Sequence, residues 1–399
     1  MRRSDLSPRL RQTLIPLPDY SGAHAIVPPP LAMRVDVRGV DRELIAAHEA
    51  LSSLKAVTAG LLNPNLITRT LDRREAVRSS QIEGSNSEVD HLFEYEATGS
   101  GEGLPKDVHT TLNYVKALDH ASQLVRQEGG QAITTELMQE IHRQLMDGDA
   151  NYRDVPGRIR TKQNWIGGLS IYDAKIVPPP PDKISTLLND LMASIRYEVR
   201  DNEQYSLSVV MRMAVTHAQF ELIHPFLDGN GRVGRILLPL MLVAEGYPPA
   251  YLAGYLKANQ SEYYRTLGDA QLREQWPQWI RFMAESVRAS CLDAISTVTD
   301  LLAIKAQWAG RLNKLRSDAA ALRSLDFVLS NPVITVMKLK DHLKVSFPTA
   351  NTAIDVLKNH KILIDHSKQG KSRTFIAKEI IDRLERSSFP APARSNGRE

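Results

Sequence analysis

One stretch gathers most of the reactive side chains of the chain: His224-Pro225-Phe226-Leu227-Asp228-Gly229-Asn230-Gly231-Arg232-Val233-Gly234-Arg235. An imidazole titrates near neutral pH and suits general-base work. Gly229, Asn230 and Gly231 accept positive φ, so the segment after Asp228 reads as a tight loop. A helical pattern follows it. The first turn of a helix has unpaired N–H groups and the positive end of the dipole, which together favour an anion. Arg232 and Arg235 are three apart and project from one side of that turn. A base, a carboxylate, backbone donors and two guanidiniums in one loop equip it for phosphoryl or nucleotidyl transfer on a metal-bound polyphosphate.

Two other phosphate-binding patterns are excluded. Gly229-x-Gly231-x-x-Gly234 has the spacing of a dinucleotide fingerprint, but that fingerprint follows a strand in a βαβ unit. Here it follows the helical text MRMAVTHAQFELIHPF. A Walker loop is absent from the sequence.

The elements that must position the loop are mostly helical. Apolar spacing predicts helices over 41–78, broken at Asn63-Pro64-Asn65, and over 108–128, 135–146, 183–200, 207–223, 232–245, 261–272 and 276–317. The helix before the loop is expected to be amphipathic and to end near His224. Pro239 lies inside the helix after the loop and should kink it. Residues 1–40 are Pro-rich and read as irregular, and 157–177 lose the helical period around Gly167-Gly168, which predicts a β-hairpin or extended flap. Downstream, helix, helix, helix and a hairpin around Gln369-Gly370 form a winged helix-turn-helix pattern. The expected organisation is an N-terminal helical region over 1–105, a catalytic core over 106–300, a connecting helix over 301–325, a winged helix-turn-helix over 326–380 and a disordered tail over 381–399.

Composition is compatible with this. Of 399 residues, 42% are hydrophobic and 24% charged, enough to bury a core without staples. Cys291 is the sole cysteine, so no internal disulfide forms. The basic N-terminus lacks an apolar run behind it, and no stretch approaches the length of a membrane span. A cytoplasmic protein away from membranes is expected. Net charge is +4, yet residues 331–378 hold nine Lys or Arg against three Asp or Glu, leaving the rest of the chain at −2. Attraction to nucleic acid is therefore expected in the C-terminal part.

HPFLDGNGRVGR resembles the signature HPFx[D/E]GNGRxxR of the Fic family. The likeness extends from about residue 40 to 290. GRIRTKQNWIGG before the prolines 178–181 resembles the family's flap, YLKANQSEYYRTL its adenine-lining segment, and EAVRSSQIEG its inhibitory motif [S/T]xxxE[G/N]. The resemblance implies a Fic-type helical core with a small flap, and transfer of AMP from ATP to a Ser, Thr or Tyr hydroxyl of a protein, the chain itself included. Carried onto this sequence, His224 is the base, and Asp228 binds Mg²⁺. Gly229, Asn230 and Gly231 form an anion hole that continues through Arg232, Val233 and Gly234. Arg232 binds phosphate and Arg235 holds the γ-phosphate. Tyr263 and Tyr264 flank the adenine. Asn164, Trp165 and Ile166 of the flap receive the target segment by backbone pairing. Ser79 and Glu83 form the inhibitory motif, with Glu83 reaching Arg235 and competing with the γ-phosphate.

Other readings stay open at this point. The chain could be a DNA-binding regulator that senses ATP, although a sensor has no need of a base such as His224. It could use another nucleotide donor, or remove AMP. On the expected recognition helix, Asn351, Thr352, Asp355 and Lys358 face outward, with Lys368, Lys371 and Arg373 on the wing. DNA, a protein or a second copy of the chain are all compatible with that module.

Overall fold

The computed structural model describes residues 1–29, 38–61, 63–197, 208–367, 373–386 and 389. In chain order the elements begin with α1 (Pro8–Gln12), β1 (Leu14–Pro16), β2 (His24–Ile26), α2 (Asp41–Ala59), α3 (Pro64–Ile82) and α4 (Val89–Thr98). Then come α5 (Val108–Glu128), α6 (Thr135–Leu145), α7 (Pro181–Ile195), α8 (Val209–Ile223), α9 (Asn230–Ala244), α10 (Ala253–Ala258) and α11 (Gln260–Arg273). The remainder is α12 (Trp276–Arg311), α13 (Ala320–Arg323), α14 (Leu325–Ser330), β3 (Val333–Thr335), α15 (Val336–Leu343), α16 (Phe347–Asn359), β4 (Ile364–Asp365), β5 (Thr374–Ile376) and α17 (Lys378–Glu385). The mostly α expectation holds.

The chain divides into two units, one formed by Met1–Lys55 with Lys116–Cys291, the other by Ala56–Val115 with Leu292–Glu399. The expected boundaries near 105 and 300 therefore differ from the packing. The N-terminal helical region is split, because α3 and α4 pack against α14, α17 and the strands β3 and β5.

In the first unit α8 packs between α7 and α9 and also touches α11. It is not amphipathic: every residue but Glu221 is buried. Neighbours on several sides require that. Arg212 donates to the Ile195 carbonyl at 3.2 Å and pairs with Glu245. Caps start the helices as their sequences suggest: Thr134 accepts from Leu137 N and Ser208 from Met211 N. Residues 1–40 are not simply irregular, since β1 and β2 pair antiparallel with Leu14 opposite Ile26. Three-residue strands carry too little alternation to be read from sequence.

The flap between α6 and α7 is not a hairpin of strands. One antiparallel bridge joins Ile166 to Ile176. Turns replace pairing: Gly167 and Gly168 take φ of 68° and 86°, and the Asp173 carboxylate accepts from Leu169 N at 2.9 Å and Ser170 N at 2.6 Å. The Ser170 hydroxyl, donating to the same carboxylate at 2.5 Å, and then these main-chain bonds hold the Asp173 carboxyl down to about 2.

In the second unit four arginines on α3 tie it to its neighbours. Arg69 donates to Glu96 at 2.8 Å and to the Ser330 carbonyl at 3.2 Å. Arg73 joins the same carboxylate at 3.0 Å, and Arg74 pairs with Asp293 at 2.5 Å. Arg78 donates to the Glu385 carbonyl at 3.0 Å. The C-terminal elements form a three-stranded antiparallel sheet in the order β3-β5-β4 beside α15 and α16. The tail expected to be disordered from 381 opens instead inside α17, whose Ile380, Ile381 and Leu384 are buried. Their helical spacing was masked by charged flanks. Lys368, Lys371 and most of the expected tail lie outside the described residues.

Candidate active site

The site lies in the first unit, where α8 gives way to α9. His224 is the C-cap of α8 with φ 50° and ψ 61°, a left-handed conformation uncommon for a residue with a side chain. Its N–H still bonds the Phe220 carbonyl at 3.0 Å. His224 Nδ1 lies 3.2 Å from the Glu221 carbonyl oxygen. A carbonyl only accepts, so Nδ1 carries the proton and Nε2 is the basic nitrogen.

Arg160 holds this turn from below. It is 1% exposed, and its Nε donates to the His224 carbonyl at 2.8 Å. Other guanidinium N–H groups bond the carbonyls of Pro179 at 2.5 Å and Lys162 at 3.1 Å. The Arg160 main-chain N–H bonds the Pro225 carbonyl at 2.9 Å. Burial lowers its pKa to about 10, so it remains charged at neutral pH. With the Ile223 carbonyl at 3.4 Å, four backbone carbonyls around the guanidinium do the work a carboxylate would otherwise do.

The loop closes on itself through Asn230. Its Oδ1 accepts from Phe226 N at 3.0 Å, and its Nδ2 donates to the Phe226 carbonyl at 2.9 Å. Asp228 is exposed and its Oδ1 accepts from Gly229 N at 2.6 Å. Gly229 has φ 80°, and an added Cβ would lie 3.1 Å from Met146 Sδ and 3.3 Å from the His142 ring. Only glycine suits that position. Gly231 falls in the first turn of α9, with Arg232 next to it.

Arg232 is the side chain of the loop best suited to an anion. Its Nε is buried and has no hydrogen-bond partner, and its nearest polar contact is Nη2 to Met146 Sδ at 3.5 Å. A buried guanidinium donor left unpaired at a helix N-terminus fits a phosphate oxygen. Arg235 is 2% exposed. Metal would find one exposed carboxylate, that of Asp228. Among the described residues no group of three His, Cys, Asp or Glu is placed to hold an ion. The donor set therefore fits a hard cation whose other ligands come from phosphate and water.

Several expected site residues are used otherwise. Val233 is fully buried. Gly234 is a packing residue: an added Cβ would meet Glu221 Oε1 at 2.5 Å and Phe220 Cδ1 at 3.0 Å. Tyr263 is 1% exposed, and its hydroxyl bonds His217 Nε2 at 2.8 Å within a cluster that includes Trp279 and Phe282. Burial first, then the charge of Arg235, pushes His217 down to about 3. Tyr264, 48% exposed, alone of the pair offers a ring surface. On the flap, Asn164 turns inward, donating to the Phe226 carbonyl at 3.1 Å. Ile166 spends both main-chain groups on the bridge to Ile176, donating its N–H at 2.9 Å and accepting at its carbonyl at 3.2 Å. Trp165 is the exposed member of the three.

Ser79 and Glu83 belong to the second unit. Ser79 is fully buried in the last turn of α3. Glu83 is its exposed C-cap, followed by Gly84 at φ 91°.

Two residues escaped the sequence reading. Arg160 sits in the GRIR text, and nothing in the sequence distinguishes a buried arginine from a solvated one. His142 was legible in principle: α6 buries Leu137, Met138, Ile141 and Leu145, and His142 falls on that stripe. Its ring stacks on Phe226 with centroids 3.8 Å apart. Burial lowers its pKa to about 4.

Residues 42–123 match the family model described as Fic/DOC family N-terminal, and residues 132–242 match the one described as Fic/DOC family. The chain thus carries a Fic N-terminal domain followed by a Fic domain. It is 32% identical over 164 residues to Protein adenylyltransferase fic-1 of Caenorhabditis elegans, covering 40% of this chain and 29% of that protein. It is 31% identical over 204 residues to the Probable protein adenylyltransferase aq_aa38 of Aquifex aeolicus, covering 50% of this chain and 55% of that protein. The chain thus matches about a quarter to a half of the length of these curated relatives. A Fic family protein from Desulfovibrio desulfuricans G20 superposes with a TM-score of 0.52 at 19% identity, over 88% of this chain and 98% of that one. A Fic domain containing signaling protein from Bacteroides thetaiotaomicron gives 0.51 at 19%, over 64% of this chain and 96% of that one. At such identity the likeness is one of fold. No helix among the described residues is long and apolar enough to cross a membrane.

Proposed function

We propose that the chain is a protein adenylyltransferase that moves AMP from ATP to a Ser, Thr or Tyr hydroxyl of a target protein, itself included. The observation that carries this reading is the pairing of a basic His224 Nε2 with the unpartnered Arg232 Nε of the adjoining anion loop. The target hydroxyl oxygen attacks the α-phosphorus while its proton passes to His224 Nε2. The bond from the α-phosphorus to the bridging oxygen breaks, and pyrophosphate leaves. The N–H groups at the start of α9 and the Arg232 guanidinium take the charge of the phosphates, and Arg235 clamps the γ-phosphate. Asp228 would hold Mg²⁺, which supplies positive charge to the polyphosphate when bound. Tyr264 offers its face to the adenine, and Trp165 meets the target. The single cysteine, Cys291, is buried and its thiol is pushed up to about 12 by burial, which accords with a reducing, cytoplasmic setting.

Glu83 adds inhibition to this reading. A carboxylate on Arg235 occupies the fork that the γ-phosphate needs, and the α-phosphate is then misaligned. The SSQIEG text and the exposure of Glu83 at the end of α3 support it. The test uses ATP labelled at either the α- or the γ-phosphate. Label from the α position should enter the protein and label from the γ position should leave as pyrophosphate. Entry of γ label would instead make the enzyme a kinase.

The C-terminal module reads as a winged helix that holds duplex DNA weakly. Its element order and its surplus of basic residues support this, while the pairing of Lys358 with Asp365 limits the charge on the recognition helix α16. Fluorescence polarisation of the full chain with duplex DNA at low and moderate salt checks it, and salt-independent or absent binding favours a protein partner.

A further inference from the structure

His142 touches three functional pieces of the first unit at once. Its Nδ1 accepts from the Gly157 N–H at 2.9 Å, at the base of the flap. Nδ1 is therefore unprotonated, and Nε2 carries the proton and donates to the Asp228 carbonyl at 3.0 Å. The ring lies flat on Phe226, interplanar angle 4°, while Tyr152 meets it edge-on at 5.5 Å. Phe226 anchors the loop that Asn230 closes, so the imidazole grips that loop by its backbone and by its core side chain.

Glycines on either side show how closely the chain is drawn to this ring. At Gly157, φ 84°, an added Cβ would lie 2.9 Å from the Gln139 carbonyl and 3.0 Å from Arg143 Cβ. Gln139 also donates to the Gly157 carbonyl at 3.0 Å, so the flap base is fixed through both its main-chain groups. At Gly229 an added Cβ would lie 3.3 Å from His142 Nε2. A flat ring with one donor and one acceptor on opposite sides satisfies both contacts. No other neutral side chain combines those features with stacking on Phe226.

We infer that His142 is a positioning residue: it sets the place of Asp228, and so of the cation that Asp228 would hold, and ties that place to the base of the flap. The inference rests on the nucleotidyl-transfer reading of the site. The bland alternative is that His142 only fills space on the buried face of α6. A phenylalanine would fill the same space and stack equally well, but it would leave Gly157 N–H and the Asp228 carbonyl unpaired.

The test compares His142→Phe, His142→Gln and His142→Asn in the full chain carrying Glu83→Gly. Glutamine places an amide N–H near the position of Nε2 and can bond the Asp228 carbonyl. Asparagine places its amide near Nδ1 and can serve only Gly157. Thermal melting reports folding. Binding of a fluorescent ATP analogue, with Mg²⁺ and with chelator, reports the cation site without turnover. Transfer of labelled AMP over a Mg²⁺ series reports kcat and the half-saturating Mg²⁺ concentration. For His142→Phe we expect chelator-state nucleotide affinity within about twofold of the parent. The gain in affinity on adding Mg²⁺ should be lost, and kcat should fall on the order of 100-fold, as for a misplacement near 1 Å. Glutamine should recover at least about tenfold of that loss and asparagine little of it. An unchanged Mg²⁺ response in His142→Phe overturns the inference, as does glutamine performing no better than asparagine. If His142→Phe fails to fold, the glutamine and asparagine comparison decides alone. If no variant, parent included, transfers AMP, the transfer reading fails, while Mg²⁺-dependent nucleotide binding still judges the role of His142.

Discussion

Arg160 donates its Nε–H to the carbonyl of His224 at 2.8 Å, at the residue where α8 turns left-handed. The base is thus oriented by its own backbone carbonyl, held by a cation buried without a carboxylate. Ile223, one residue earlier, is held by the same guanidinium at 3.4 Å.

Arg160→Met keeps the length and removes the fork, so several carbonyls lose their donor. The expected loss is about 3 kcal/mol of unfolding free energy by urea titration, since each unsatisfied buried group costs roughly 1–3 kcal/mol. Transfer activity should fall further than stability explains. Arg160→Lys should fall between, because an ammonium cannot span the same acceptors. Equal stability of wild type and Arg160→Met would contradict the clamp.

Gly234→Ala is a helix-favouring change by propensity, worth about 1 kcal/mol. The structure predicts the opposite sign. The new Cβ would displace Glu221 Oε1, 2.5 Å away, and would crowd the buried rings of Phe220 at 3.0 Å and His217 at 3.2 Å. A net loss of about 1–3 kcal/mol is expected from overpacking. A raised melting temperature would show that these side chains move aside freely.

Tyr263→Phe and Tyr264→Ala separate core from site. Losing the Tyr263 hydroxyl removes the 2.8 Å bond to His217 and should cost about 1 kcal/mol of stability, with ATP affinity unchanged. Tyr264→Ala should leave stability within about 0.5 kcal/mol and weaken ATP binding. Fluorescent nucleotide titration and urea melts of both variants check the division. Weaker binding in Tyr263→Phe with no change in Tyr264→Ala would reverse it.

His217 predicts a pH dependence. Its folded pKa is lowered to about 3 from 6.5, so the unfolded chain binds the proton first. Stability from this group is full above pH 6.5 and falls as the pH drops toward the folded value. The loss approaches 1.4 kcal/mol per pH unit, ~1.36 being the equivalent of one pKa unit. The difference in urea midpoint between wild type and His217→Gln should shrink on acidification from pH 7 to pH 5. A constant difference would mean that His217 is readily protonated in the fold.

Much of this arrangement was legible in the sequence, for reasons that differ by residue. The loop over 224–235 could be read because glycines, an Asn and charged groups crowd one short stretch, and local chemistry fixes local geometry. Long helices such as α3 and α9 announced themselves through spacing and punctuation. What escaped depends on tertiary neighbours. Val233, Gly234 and Tyr263 fall within the motifs yet are buried, which only the packing of α8, α9 and α11 decides. Asn164 turns inward because the Phe226 carbonyl is there to receive it. The buried clamp of Arg160 has no sequence signature at all. The division of the chain was likewise invisible, because α3 and α4 pack with segments more than 200 residues further along the chain.

The most direct test of the adenylyltransferase reading is an intact-mass measurement on the full chain after incubation with ATP and Mg²⁺. Wild type, Glu83→Gly, His224→Ala and Glu83→Gly with His224→Ala are compared. The account predicts a small AMP adduct on wild type, a large one on Glu83→Gly, and none where His224 is replaced, although fluorescent ATP analogue still binds there. Adduct formation in the variants lacking His224, at the level of Glu83→Gly, would contradict it.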